Sequence, residues 1–217
     1  MKALYLIFLF GICTACKQAK GPNSESFEAA SRYKEAKKNF DSASVSHFPD
    51  RIQGVNPTFS TSQDTRYSHP GILLKVTCEA KYLDSVARVA KQRARAQYQA
   101  SDTCLLIIDE HLTAENRLKF SKRSAVIDTV LLERPCATEN LPVPKFFGEF
   151  VFETTETRVG LDRGYILYVL DADRGIFRDS TSLPNGRYTP KGWEHGYSKG
   201  IAINAATQTA IFWYDVW

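Results

Sequence analysis

The run from Trp193 to Tyr197 brings a carboxylate, an imidazole and two aromatic rings together within five residues of a glycine-rich stretch. A carboxylate near an imidazole can transfer protons, and aromatic side chains can hold a sugar face or a cation. Adjacent residues on an extended chain point to opposite sides, so Glu194 and His195 are not expected to act together. We predict that Trp193, His195 and Tyr197 bind a ligand. A loop that only leads into the last strands is the simpler interpretation.

An acid from elsewhere in the chain could complete a catalytic pair with His195, and the candidates are Asp171 and Asp215. Such a pair would favour an envelope hydrolase acting on cell-wall, glycan or ester substrates. The chain carries no GxSxG, HExxH or P-loop pattern, so the common hydrolase and nucleotide-hydrolysing classes have no support. We therefore assign no catalytic residue and keep the hydrolase as an alternative.

Metal and cofactor sites are not predicted from the residue spacing. Asp171 and Asp173 share a short run with Gly175, but the further oxygen ligands and the closing Glu of a calcium loop are missing. The cysteines lack the C-x-x-C spacing that is typical of zinc sites. We interpret Asp171 and Asp173 as turn residues at the end of an apolar strand.

The first sixteen residues carry the pattern of an export signal. Lys2 precedes an apolar stretch of about ten residues, which is too short for a bilayer span of roughly 20 residues, and the small residues Thr14 and Ala15 then precede Cys16. This arrangement resembles a bacterial lipoprotein signal, and Cys13, in a place where Leu is usual, makes it similar to the looser signals of the Bacteroidota. The resemblance implies cleavage before Cys16 and lipidation of that cysteine. Ordinary secretory cleavage after Ala15 is the alternative.

The net charge and the length of the chain limit the classes of protein to which it can belong. The chain has 217 residues, a net charge of +4 and 43% hydrophobic residues, which suits one domain with its own core. The mild charge excludes the concentrated basic surface of a nucleic-acid-binding protein. We expect a membrane contact through the lipid anchor, together with a protein or glycan partner. The predicted division is a signal peptide over 1–15, a lipidated cysteine with a tether and short helix over 16–43, and one domain over 44–217.

The number of cysteines allows two alternative thiol states in an exported chain. Cys78, Cys104 and Cys136 remain after the N-terminal pair is set aside, and three thiols cannot pair completely. One disulfide with one buried thiol is the first alternative. We favour three buried thiols, because Cys78 and Cys104 lie in apolar, strand-like runs where free cysteine behaves as a small hydrophobe.

Hydrophobic periodicity predicts an α+β fold: a strand-helix-strand portion followed by a C-terminal antiparallel sheet that ends in a hairpin. Residues 209–216 are apolar on both alternating faces, which predicts a strand covered on both sides, and Trp217 is expected to be buried. Residues 41–71 are expected to lack regular structure. The predicted helices cover residues 26–40, 79–100 and 113–120. The predicted strands cover residues 72–77, 104–109, 125–132, 150–153, 165–170, 176–178, 200–204 and 209–216.

The sequence thus favours a lipid-anchored envelope lipoprotein that binds a partner without catalysis. An envelope hydrolase and a purely structural envelope protein are the two alternatives. All three share the anchor, so the residues alone do not separate them.

Overall fold

The computed structural model describes residues 22–62, 69–108, 135–146, 157–178, 183 and 192–217. Three helices occur within these ranges: α1 (Pro22–Lys38), α2 (Ala80–Arg93) and the short α3 (Pro135–Thr138). The strands are β1 (Val55–Ser62), β2 (Gly71–Thr77), β3 (Ala96–Gln99), β4 (Ile107–Ile108), β5 (Val143–Pro144), β6 (Ile166–Arg174), β7 (Gly196–Asn204) and β8 (Thr209–Val216). None of the described helices is long and apolar enough to cross a membrane.

Six strands form one antiparallel sheet in the order β1-β2-β8-β7-β6-β3. The two short strands β4 and β5 pair in parallel outside it. The structure therefore has the predicted α+β class in a single domain, with antiparallel C-terminal strands.

The C-terminal hairpin is confirmed, and its last strand lies inside the sheet between β2 and β7. Every residue of β8 except Asp215 is buried, as a strand apolar on both faces requires. Gly200 of β7 permits this packing, because a Cβ at that position would overlap the Trp213 ring. Trp217 is also fully buried, and its indole Nε1 donates to the Trp193 carbonyl oxygen at 3.0 Å.

Both faces of the sheet are covered. On one face, called here the helix face, α1, α2 and the segment 39–50 pack on alternate residues of β2, β7 and β8. Tyr33 of α1 is buried there and donates a hydrogen bond to the Pro49 carbonyl oxygen. On the opposite face a second cluster includes Phe146, which meets Trp213 edge to face at 5.5 Å.

Several predicted boundaries were wrong because distant pairing overrides local pattern. Strand β1 lies within 41–71, where no regular structure was expected, and pairs with β2. The helix predicted over 79–100 stops at Arg93, since the Arg95 amide donates to the Val169 carbonyl oxygen and starts β3. Of the strand predicted over 104–109, the described residues 104–108 form a strand only at β4, and residues 176–178 are not a strand.

Other predicted elements lie wholly or mostly outside the described residues. These are the helix over 113–120 and the strands over 125–132 and 150–153.

The expectation of three buried thiols was wrong, and the alternative is correct. Cys104 and Cys136 form a disulfide with a Cα–Cα distance of 5.5 Å, and Cys78 is a buried free thiol. The Asn140 side chain donates to the Cys104 carbonyl oxygen at 2.7 Å, which aligns the two bridged segments. The apolar run after Cys104 suggested burial of the thiol but carried no information about the loop that brings Cys136 to it.

Candidate functional site

A β-bulge in β6 decides which polar side chains meet on the helix face. Val169 pairs with Gly200, but the register shifts before Asp171, which pairs with Lys199. One extra residue moves all later side chains of a strand to the other face. Asp171 therefore shares the helix face with Lys199 and Tyr197 instead of pointing into the opposite core. The prediction that Asp171 and Asp173 are turn residues was wrong, since both lie within β6.

The Asp171 carboxylate is the centre of a polar group that we call the Asp171 cluster: Arg95, Asp171, Tyr197 and Lys199. The Tyr197 hydroxyl donates to Asp171 Oδ2 at 2.6 Å, and Arg95 donates to Oδ1 at 2.7 Å. Arg95 also donates to the Ala172 carbonyl oxygen at 3.1 Å, and Lys199 Nζ lies 3.7 Å from Oδ2. Arg95 sits where α2 turns into β3, so the chain reversal after the helix supplies this cation.

These contacts settle the protonation states of the cluster at neutral pH. Partial burial acts to raise the pKa of Asp171, but the hydrogen bonds from Tyr197 and Arg95 and the nearby Lys199 charge outweigh it and hold that pKa below its usual value. Burial, together with the neighbouring Asp171 carboxylate, raises the pKa of Tyr197 well above its ordinary value. Asp171 is thus a carboxylate and Tyr197 a neutral donor.

An aromatic pair adjoins the cluster. The Phe177 ring meets the Tyr197 ring edge to face at 4.6 Å, and Tyr214 lies 6.1 Å from Tyr197 on its other side. The Lys199 ammonium also donates to the Ala43 carbonyl oxygen at 3.3 Å, which ties the segment 39–50 to the sheet. The cluster is therefore held on several sides, while the Arg95 side chain remains 54% exposed and that of Asp171 31% exposed.

The structure separates Trp193 from Tyr197, two of the three predicted binding residues. Trp193 is only 4% exposed and belongs to the hydrophobic cluster of the opposite face, whereas Tyr197 packs against that of the helix face. The Trp193 ring lies 6.0 Å from Trp217 and beneath the Arg174 guanidinium at 4.9 Å. Its indole nitrogen is buried without a hydrogen-bond partner. Trp193 thus serves the packing of the C-terminus.

His195, the third predicted binding residue, does not form the catalytic pair considered from the sequence. Its Nδ1 atom is buried without a hydrogen-bond partner. Asp171 is engaged by Arg95 and Tyr197, and Asp215 pairs with His69 at 3.4 Å. The neighbouring Glu194 accepts a hydrogen bond from the Gly192 amide at 2.8 Å, so it stabilises its own turn.

Two histidines that were not predicted as site residues, His47 and His69, are buried and hydrogen-bonded within the fold. His69 is buried, 6.5 Å from the Trp217 ring, and pairs with Asp215. His47 is buried, and its Nε2 lies 2.9 Å from the Trp213 carbonyl oxygen, so the imidazole is the donor of that bond. Neither imidazole is exposed enough to meet a substrate.

Three residues of the candidate site were not found from the sequence: Arg95, Lys199 and Phe177. Arg95 lies within the range predicted as one long helix, 79–100, and Lys199 and Phe177 were not named as candidate site residues. Only the bulge in β6 and the end of α2 bring them to Asp171. No group of three or more potential metal ligands occurs among the residues whose positions are described.

Comparison with protein families, with curated proteins and with solved structures finds no match to this chain.

Proposed function

We propose that this protein is a lipid-anchored component of a bacterial envelope that binds a partner without catalysis, through the Asp171 cluster. The observation that carries the proposal is the ordered but accessible charge of that cluster. Arg95 is held by two hydrogen bonds and still has 54% of its side chain exposed. A guanidinium held in place loses little side-chain entropy when it binds, which favours recognition.

The envelope location rests on the N-terminal sequence and is supported by the cysteines. Residues 1–16 resemble a lipoprotein signal with Cys16 as the lipidated residue. The Cys104–Cys136 disulfide suits an oxidising compartment such as the periplasm or a cell surface. A buried free thiol at Cys78 is compatible with the same compartment, because burial raises its pKa to about 11 and keeps it unreactive.

A binding role fits the geometry better than hydrolysis. A general base needs a partner that orients it and an open position for substrate. His195 Nδ1 has no hydrogen-bond partner, and the two acids considered for it bond elsewhere. The anchor would hold the binding surface at the membrane, where a protein or glycan partner is met.

Charge reversal at Arg95 tests the binding surface. In cells that make the acylated protein, Arg95→Glu should reduce the partner recovered by crosslinking and co-purification at least about tenfold, since a charge-assisted contact becomes repulsive. Arg88→Glu, on the exposed side of α2, is the matched control and should leave recovery unchanged. Equal recovery with both variants would contradict the proposed site.

Incorporation of a palmitate analogue tests the anchor separately. Label should enter the parent protein and be lost in Cys16→Ser, which removes the acceptor thiol. Label that persists in Cys16→Ser, or is missing from the parent, would contradict lipidation at Cys16 whatever the partner experiment gives.

A further inference from the structure

The segment from Arg174 to Arg178 exposes two large apolar side chains side by side. Ile176 is 60% exposed and Phe177 is 44% exposed, although both lie beside a well-packed core. The other large apolar residues exposed among the described parts of the chain, Val55 and Val89, are single positions on a strand and a helix. Isolated exposed residues are ordinary, whereas a contiguous apolar tip needs an explanation.

The backbone holds this tip away from the sheet. Strand β6 ends at Arg174, and Gly175 follows with φ of +134°, a conformation that favours glycine. The Gly175 amide donates to the His195 carbonyl oxygen at 3.1 Å, which anchors the base of the segment. Phe177 leans on Tyr197 at 4.6 Å, so its orientation is also held.

Cations flank the apolar tip on both sides. The Arg174 guanidinium lies over the Trp193 ring, and the Arg178 guanidinium lies over the Phe40 ring at 5.5 Å. Arg95 of the Asp171 cluster adds a third cation on the helix face, where Arg178 lies over Phe40. Among the described residues, the acids near these cations include Asp171, which is paired with Arg95, the exposed Asp173, and Asp41, whose charge acts on Tyr214 together with that of Arg178. Asp179 directly follows Arg178 in the sequence.

An apolar tip bordered by arginines matches the surface of an anionic bilayer. Apolar side chains enter the boundary between headgroups and acyl chains, and arginines bind lipid phosphates at the level just above. We propose that Ile176 and Phe177 insert into the bilayer to which the chain is anchored, with Arg174 and Arg178 on anionic phospholipid headgroups. This inference rests on the proposed envelope location, and it restricts the partner of the Asp171 cluster to molecules at the membrane surface.

The reach of the chain allows the anchor and the tip to meet one bilayer. Arg178 Nη2 donates to the Asn39 carbonyl oxygen at 3.4 Å, so the segment lies by the C-terminal end of α1. The 17 residues of α1 extend about 25 Å. The six residues from Cys16 to Gly21, which precede α1, span at most about 20 Å. With α1 lying along the membrane, both ends of the helix stay within reach of it.

Insertion of the apolar tip is tested with a chain that has no lipid on Cys16 and is held at the vesicle by an artificial tether. The chain from Lys17 to Trp217 holds every described residue and is tethered through an N-terminal hexahistidine tag to vesicles that contain a nickel-chelating lipid. An environment-sensitive fluorophore is attached in the variants Ile176→Cys and Val89→Cys. With phosphatidylglycerol in the vesicle, the probe at position 176 should shift to shorter wavelength, while the probe at position 89 should not.

Untethered binding gives the second measurement. The parent chain and Val89→Ser should co-sediment equally with phosphatidylglycerol vesicles and less with phosphatidylcholine vesicles. The pair Ile176→Ser with Phe177→Ser should bind at least about tenfold more weakly, since it loses the apolar contacts. Val89 has the same 44% exposure as Phe177, which makes it the matched control for lost apolar surface.

Three results would overturn the proposal: no spectral shift at position 176 in the tethered chain, equal binding by the double variant, or no preference for anionic lipid. Loss of a protein partner in the double variant without any vesicle effect would assign the tip to a protein instead. The proposed function is judged separately by acylation at Cys16 and by Arg95→Glu, so the failure of one does not decide the other.

Discussion

The hydrogen bond from Tyr197 to Asp171 joins the carboxylate at the centre of the cluster to the ring that supports Phe177. Because a hydrogen bond to an ionised acceptor favours the charged form, this bond helps to keep the pKa of Asp171 low. The same bond orients the Tyr197 ring, so charge and shape at this surface depend on each other.

Substitution of Tyr197 by Phe should therefore raise the pKa of Asp171 and lower the free energy of unfolding by about 1 kcal/mol. The carboxyl resonance of Asp171, followed by NMR against pH, measures the first effect, and urea denaturation measures the second. Tyr82→Phe is the control, since Tyr82 lies on α2 beside Cys78. An unchanged Asp171 titration in Tyr197→Phe would show that the hydroxyl does not hold the carboxylate.

His47 makes the stability of the fold depend on pH. Burial lowers its pKa from 6.5 to about 3, only partly opposed by the bond to the Trp213 carbonyl oxygen, and the charges of Lys199, Arg93 and Lys37 lower it further. Between those two values the unfolded chain binds a proton that the folded chain excludes. The contribution of neutral His47 to the free energy of unfolding is therefore fully present above pH 6.5, and it is lost as the pH drops toward 3.

The variant His47→Gln tests this dependence, because an amide keeps the donor to Trp213 and does not titrate. Over this acid range its free energy of unfolding should fall with a slope smaller by about 1.4 kcal/mol per pH unit than that of the parent. Urea denaturation at several pH values gives both slopes. Parallel slopes would mean that His47 is protonated in the folded protein.

At the scale of elements, the disulfide joins the start of the apolar run at β4 to the short helix α3. The bridged cysteines are 32 residues apart, and β5 follows α3 to pair with β4. The bridge therefore ties the stretch that holds Leu105, Leu106 and Ile108, which belong to the cluster of the opposite face, to the segment that leads into β5. Without the disulfide, the unfolded chain has more conformational entropy, which lowers the free energy of unfolding. The short parallel pair of β4 and β5 has few hydrogen bonds of its own to offset this loss.

Replacing Cys104 and Cys136 by Ser should lower the free energy of unfolding by about 3 to 4 kcal/mol on the loop-entropy estimate. Reduction of the parent protein should give the same loss. Cys78→Ala keeps the bridge and should lose as much on reduction as the parent, whereas the double variant has no bridge and should not respond to reductant. Thiol counting on the denatured chain from Lys17 should find one free thiol before reduction and three after it. Three free thiols without reductant would contradict the bridge.

At the scale of the molecule, the C-terminus completes both cores. Trp213 and Trp217 are buried, and Trp217 closes the end of the sheet through reciprocal backbone hydrogen bonds with Gly196. The pair formed by His69 and Asp215 joins the same end to the residues before β2. Large aromatic side chains contribute several kcal/mol each when fully buried, which is comparable to the net stability of a domain.

A chain that ends at Phe212 should therefore lose cooperative folding. Circular dichroism during heating should show a broad, weak change instead of a single transition, and the hydrophobic dye ANS should bind. The chain from Lys17 to Trp217 is the control with an intact C-terminus. A soluble product ending at Phe212 with a sharp transition would contradict the role assigned to the last five residues.

Local sequence patterns predicted the helices and strands whose own residues show a regular apolar spacing. Strand β2 and the C-terminal hairpin were predicted from their apolar residues, and β8 was predicted to be covered because it is apolar on both alternating faces. The structure confirms this, since all but one of the β8 residues are buried. The start of α2 follows from helical spacing. Predictions of this kind are correct because the apolar spacing within an element does not depend on the rest of the chain.

The candidate site was only partly predictable for a related reason. Tyr197 was named from its neighbourhood in sequence, but its partners Asp171 and Arg95 were assigned to a turn and to a helix. Trp193 and His195 were grouped with Tyr197 because they are close along the chain, and the strand places Trp193 in the other hydrophobic cluster. Proximity in sequence is a poor guide where side chains alternate between two covered faces.

By itself, the sequence determined the α+β class and the covered last strand, since each depends on composition and spacing within a short stretch. It also carries the N-terminal pattern from which the envelope location is proposed. Only the tertiary structure decided the disulfide, the bulge that turns Asp171 toward Arg95, and the pairing of His69 with Asp215. These features join positions from 32 to 146 residues apart. Their energies arise from contacts that no local pattern encodes, so they exist only once the sheet has brought the two ends of the chain together.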